Sequence, residues 1–122
     1  MNSPTQRTLA LLRAQGWTCA VVERWNQYAG IRQDVFGFGD ILAYHEREHS
    51  IALFQACAGA SHANRLAKLM AEPRVQGWLQ AGGRVAVISW RKAGARGQRK
   101  TWTERIEWIV PNAPNQARSE AE

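Results

Sequence analysis

Residues 39–57 read GDILAYHEREHSIALFQAC. Two apolar runs, 41–44 and 50–57, flank a five-residue polar segment, which is the pattern of a β-hairpin. Asp40 opens the first strand directly after a glycine, although strands are depleted in aspartate. Gln55 interrupts an otherwise apolar second strand, and a half-buried amide there needs a hydrogen-bond partner. Gln55 and Cys57 are two residues apart, hence on one face of their strand, and Asp40 is placed on the neighbouring strand to face them.

Upstream, Ser3 and Pro4 open a helix whose apolar positions are Leu9, Ala10, Leu12 and Ala14 and whose stop is Gly16. Residues 17–25 (WTCAVVERW) are β-branched and aromatic and predict a strand. Residues 26–33 predict a polar loop around Gly30, and 34–39 (DVFGFG) a turn. Downstream, Ser61 caps a helix running to Ala71, with Ala63, Leu66, Ala67 and Met70 on its apolar face and Pro73 as its end. Residues 75–80 add a short helical turn, Gly82 and Gly83 break the chain, and 84–90 (RVAVISW) predict a strand. A basic, glycine-containing loop over 91–100 leads to a last strand over 101–110. The order is α-β-β-β-α-β with one more strand, an α/β fold with a mixed central sheet flanked by helices.

A length of 122 residues with 45% hydrophobic composition suits a single domain over 1–110. Residues 111–122, rich in Asn, Pro, Gln, Ser and Glu, are expected as a disordered tail. Two cysteines are too few for a disulfide scaffold and point to a reducing compartment. No apolar run approaches the roughly 18 residues of a membrane span, and the N-terminus lacks a secretory pattern. The expectation is a soluble cytoplasmic protein with no membrane partner.

The net charge of +6 is local. Residues 84–105 hold seven basic side chains against the single acid Glu104, which accounts for the entire surplus. Arg91, Lys92, Arg96, Arg99 and Lys100 form its centre. Concentrated basic charge is the footprint of a polyanion binder, and a solvated solubilising loop is the plain alternative. Trp90 and Trp102 flank this loop, where they either stack on exposed bases or pair across a hairpin.

Two further patterns carry less. His45-Glu46-Arg47-Glu48-His49 matches H-E-x-x-H, but zinc chemistry needs that pattern on a helix, and here it joins two strands. It reads as a charged hairpin tip. Cys57 and His62 are close in sequence, yet a free cysteine ending an apolar strand is by default a packing residue.

The stretch from Asp40 to Cys57, with the helix and strand that follow, resembles the PD-(D/E)XK nuclease superfamily in its Holliday-junction-resolvase-like or restriction-endonuclease-like form. The resemblance covers Ser3 to Lys92 and rests on element order and spacing. The stretches RQDVFGF (32–38) and QAC (55–57) are also similar to ones in small phage and bacterial proteins. It implies an αβββαβ core in which Asp40 takes the place of the first acid, Gln55 of the second and Cys57 of the lysine. It further implies Mg²⁺ held by Asp40 and Gln55, activating water for phosphodiester hydrolysis, with Cys57 lining the site. This chain departs from the motif, since Gln55 carries no charge and Cys57 is a mostly neutral thiol. Asp34 is then the candidate second carboxylate, with turn chemistry as an equal reading. Arg65 or Lys68, on the following helix, is the candidate cation. The implied function is a nucleic-acid-binding protein, with DNA as the first partner, that cleaves phosphodiesters with Mg²⁺. The alternatives are a catalytically inactive binding module of the same fold and a phage or mobile-element interaction factor. Dimerisation, common among resolvase-like enzymes, is left open.

Overall fold

The computed structural model describes residues 2–111, so the expected tail lies, apart from Pro111, outside the described residues. In chain order the elements are α1 (Pro4–Ala14), β1 (Thr18–Val21), β2 (Arg24–Asn26), β3 (Ile31–Gln33), β4 (Ile41–His45) and β5 (Ser50–Ala58). A 3₁₀ turn (Gly59–Ser61) leads to α2 (His62–Ala71), α3 (Pro73–Gln80), β6 (Arg84–Ala93) and β7 (Thr101–Trp108). The main sheet has the order β1-β4-β5-β6-β7, and β2 and β3 form a separate two-stranded sheet. β5 and β6 are parallel, while the other neighbours are antiparallel. A parallel pair needs a crossover, and α2 with α3 supplies it. The architecture is the expected α/β one, a mixed sheet with helices on both faces and an added C-terminal strand.

Local chemistry accounts for the ends of α1. The Ser3 hydroxyl accepts from the Gln6 N–H at 3.2 Å while the Gln6 side chain accepts from the Ser3 N–H at 3.1 Å, a reciprocal capping box followed by Pro4. Gly16 leaves the helix at φ +95°, a conformation that an L side chain resists. The alternation of β5 then sorts the core. Ala52 and Phe54 face α1, packing with Leu12, Trp17, Ile41 and Ile88. Leu53 and Cys57 face α2 and α3, packing with Phe38, Leu69, Val75 and Val87.

Two stretches differ from the sequence expectation in secondary structure, and on α2 the core side carries His62, Leu66 and Leu69, while Ala63, Ala67 and Met70 of the expected apolar face are exposed. Residues 17–25 are not one strand: β1 ends at Val21, and the chain turns away at Val22 and Glu23 into the β2–β3 hairpin. The expected polar loop over 26–33 is the far half of that hairpin. Asn26 explains the turn, because its Oδ1 accepts from the N–H groups of Tyr28 and Ala29 at 3.0 and 3.1 Å. The expected loop over 91–100 is also shorter, because β6 runs to Ala93 and pairs Lys92 with Trp102. Among the described residues no helix is long and apolar enough to cross a membrane.

Candidate functional site

Asp40 sits where β4 begins. Its N–H donates to the Phe54 carbonyl at 3.0 Å, and its own carbonyl accepts from the Val22 N–H at 2.9 Å. The backbone is thus held from both neighbouring strands. Before it the chain folds into the 35–39 turn, where the Val35 N–H donates to the Gly39 carbonyl at 2.8 Å and the Gly39 N–H to the Val35 carbonyl at 2.9 Å. A Cβ on Gly39 would lie 2.7 Å from a Leu53 methyl, so this close approach to β5 requires glycine. The turn carries Asp34 back beside Asp40. β4 therefore has no residue left to pair with the Ala56 N–H, and the Asp40 carboxylate accepts it at 3.1 Å instead.

Three acids converge here. Glu23, Asp34 and Asp40 each place a carboxylate oxygen within 4.8 Å of the other two. Asp40 is 6% exposed. Its carboxyl is pushed up to about 8, first by burial, then by the hydrogen bond and charge of Asp34, with Glu23 adding and the Ala56 N–H opposing. Glu23 was missed in the sequence reading. The available signal was an acid inside the strand-like VVERW, where a charge is disfavoured without a purpose.

Gln55 completes the cluster. Its Nε2 donates to Asp34 Oδ2 at 3.1 Å. Its Oε1 is buried and has no hydrogen-bond partner among the described residues. A lone buried carbonyl oxygen costs about 1–3 kcal/mol unless a ligand satisfies it. Three carboxylates gathered in one partly buried place, beside a glutamine whose carbonyl oxygen is buried without a partner among the described residues, suit a hard divalent cation such as Mg²⁺ or Mn²⁺.

Cations share a cleft with Asp34. A cleft of about 280 Å³ is lined by Asp34, Gln55, Arg65, Lys68, Glu72 and Arg74. Arg74 is paired with Glu72. Lys68 lines this cleft together with Arg65, so α2 brings positive charge to Asp34 and Gln55, while Glu23 and Asp40 do not line it.

Cys57 does not line the cleft of Arg65 and Lys68. It is buried under α2 with Leu69 and Val87, and burial raises its thiol pKa, with a lowering by Arg65 and a smaller raising by the charge of Asp40. A neutral buried thiol takes neither the lysine's place nor a nucleophile's. His62 is not its partner either: Nδ1 lies 2.7 Å from Ser89 Oγ and Nε2 lies 2.9 Å from Glu107 Oε1. At the hairpin tip, His45 Nε2 lies 2.9 Å from the Gln15 carbonyl and Nδ1 accepts from the Glu48 N–H at 3.2 Å. Both ring nitrogens are thereby engaged with backbone, as a structural tip requires.

The basic segment lies on the β6–β7 ribbon. Arg91 and Lys92 are on β6, and Arg96, Arg99 and Lys100 are exposed in the connecting loop. Trp90 corrects an expectation. The inward phase of β6 makes it a core residue, 8% exposed, with its indole N–H donating to Thr8 Oγ1 at 2.9 Å. No face is left for stacking on a base. Trp102 is 44% exposed and lies under Arg7, whose guanidinium carbon is 3.7 Å from the ring centroid, with the Lys92 ammonium at 5.4 Å. Arg7, on α1, thereby adds a cation that charge counting along the chain did not assign to this patch. None of these basic-ribbon residues lines the cleft at Asp34.

No protein-family model, curated protein or solved structure matches this chain.

Proposed function

We propose that this protein binds nucleic acid and hydrolyses its phosphodiester bonds with Mg²⁺ at Glu23, Asp34, Asp40 and Gln55. The observation that carries the reading is the convergence of three carboxylates, one of them held by the Gln55 amide, whose carbonyl oxygen is buried without a partner among the described residues, with Asp34 also lining the cleft of Arg65 and Lys68. When bound, the divalent ion supplies charge neutralisation and a water nucleophile at neutral pH. The chain's own residues do the rest. Asp40, once ionised, would be one of the residues holding the ion, and its contact with the Ala56 N–H fixes the carboxylate. Gln55 holds Asp34 in place and offers its free carbonyl. Arg65 and Lys68 receive the phosphate. The exposed ribbon of Arg91, Lys92, Arg96, Arg99 and Lys100 tracks the backbone of the polymer.

The test is cleavage of branched, duplex and single-stranded DNA in Mg²⁺ or Mn²⁺, comparing wild type with Asp40→Ala. Wild-type cleavage lost in Asp40→Ala supports the reading, and equal cleavage by both rules out the acidic site. The burial of Cys57 favours one second reading, a binding module without catalysis, because the strand position that the resemblance gives to lysine holds a sealed thiol. That module would bind DNA in a salt-sensitive way, cleave nothing, and bind unchanged or better as Asp40→Ala.

A further inference from the structure

The β2–β3 hairpin leaves the acidic site and returns to it. Glu23 immediately precedes β2 and Asp34 immediately follows β3, so two of the three acids are the feet of this arm. Three residue pairs hold it: Arg24 with Gln33, Trp25 with Arg32, and Asn26 with Ile31. The arm belongs to no core. Trp25 is 61% exposed and Tyr28 93% exposed. Isolated two-stranded hairpins are marginal, and rings this exposed add little to holding one together. The arm has two arginines and no acid, and its other polar side chains are the amides of Asn26, Gln27 and Gln33.

Trp25 lines two clefts. One, of about 410 Å³, joins it to Arg32, Val21 and Glu23 beside Ser3 and Thr5 at the start of α1. The other, of about 300 Å³, joins it to Arg24, Asn26, Tyr28 and Gln33. Arg32 also reaches back to Glu23 at 3.4 Å, which ties the first cleft to the acids. Flat rings for stacking, guanidinium groups for phosphate, and amides for base edges are what an unpaired nucleotide requires, and a closed duplex hides the faces that stacking needs.

We propose that the β2–β3 hairpin is a stacking arm that holds unpaired nucleotides on Trp25 and Tyr28 beside the acidic site, which makes single-stranded or forked nucleic acid the preferred substrate over closed duplex. The proposal rests on the nucleic-acid reading above. The test measures anisotropy with labelled single-stranded DNA, single-stranded RNA of the same sequence, forked DNA and blunt duplex, in EDTA so that cleavage plays no part. The wild type binds single-stranded and forked probes more tightly than duplex, and the tighter of the DNA and RNA strands identifies the source of the nucleotides. Trp25→Ala/Tyr28→Ala loses at least about tenfold in affinity for single-stranded and forked probes, with less than about a twofold change on duplex. Trp25→Phe, which keeps a flat ring, retains most of the affinity. Equal binding of all probes by the wild type, or equal affinities for wild type and double variant, overturns the arm and leaves the acidic site standing. Absence of binding to every probe at low salt overturns both. An unchanged Tm in the double variant confirms that the exposed rings were not holding the fold.

Discussion

The side-chain amide of Gln55 donates to Asp34 at 3.1 Å, joining residues 21 positions apart in sequence. It turns one end of the amide toward a carboxylate and leaves the other, Oε1, buried without a partner among the described residues. An amide is well suited to this place. It steadies Asp34 without adding a fourth carboxylate to a cluster whose burial and mutual repulsion already push Asp40 up to about 8.

Gln55→Glu tests that account. Without metal, a fourth carboxylate adds repulsion in a buried site, so the Tm falls by several degrees. With Mn²⁺ present, the added charge strengthens the ligand set, so affinity by calorimetry rises by about tenfold and the metal-induced rise in Tm exceeds that of wild type. A variant with unchanged Mn²⁺ affinity places Gln55 outside the ligand set.

Asp40 makes stability depend on pH in a definite direction. Its carboxyl titrates near the ordinary 3.8 when the chain is unfolded and at about 8 in the folded protein. Between those values the native state holds a proton that the unfolded state has released. Stability in EDTA therefore falls as pH rises from about 4 to about 8 and levels off above it. Asp40→Asn removes that slope and is the more stable protein at pH 8. Saturating Mg²⁺ flattens the wild-type slope, because the ion favours the ionised ligand, and Mg²⁺ affinity itself rises with pH over the same range. Thermal unfolding across pH with and without Mg²⁺ reads all three, and a flat wild-type profile in EDTA contradicts the buried acid pair.

Much of this was legible in the chain, for separable reasons. The β4–β5 hairpin follows from two apolar runs around a polar tip, and the α/β order from the helical stretch that separates β5 from the next apolar run. Asp40 and Gln55 stood out because each is a polar residue in strand surroundings. Glu23 did not, because residues 17–25 read as continuous strand. The break at Val22 comes from tertiary hydrogen bonding to Asp40 and from the Asn26 turn, neither of which has a periodicity. Trp90 was drawn toward the function by its neighbours in sequence, whereas strand phase turns it into the core; Cys57 keeps the phase of Gln55, and packing under α2 buries it. The two clusters of positive charge have the same lesson, since Arg7 and Trp102 meet across 95 positions that no window along the chain connects.

The sealed position of Cys57 has a chemical readout. Cys19 is half-buried and Cys57 buried, and burial raises both thiols above their ordinary value. Iodoacetamide on the native protein modifies Cys19 slowly and Cys57 only at the rate of unfolding, as mass spectrometry resolves. Rapid native modification of Cys57 places its thiol in an open site and restores the expectation that it lines one.

His62 ties α2 to β6 and β7 through Ser89 and Glu107, and both it and Ser89 are 2% exposed. His62→Ala leaves the Ser89 hydroxyl buried and unpaired and opens a cavity. The expected loss is about 2–4 kcal/mol by urea unfolding, against about 1 kcal/mol for Ser89→Ala, with less than additive loss in the double variant. Because His62 contacts neither the acids nor Cys57 by hydrogen bond, folded His62→Ala keeps wild-type Mn²⁺ affinity. A selective loss of metal binding with stability intact assigns His62 to the site instead.

The basic ribbon is separable from both the acids and the core. Arg96, Arg99 and Lys100 are exposed in the β6–β7 loop, so replacing all three by Gln leaves the Tm unchanged. Each phosphate contact contributes about 0.7–0.9 to the slope of log affinity against log salt, so the triple variant loses about 2–3 from that slope and weakens on single-stranded and duplex DNA alike. Trp102→Ala removes the ring that Arg7 and Lys92 flank and weakens binding with little cost in stability. Trp90→Ala behaves differently. It empties a core position and abandons Thr8, so it lowers stability by about 3–5 kcal/mol, and any binding defect follows from unfolding. An unchanged salt slope in the triple variant assigns the loop to solubility and moves the phosphate contacts to Arg65, Lys68 and the β2–β3 arm.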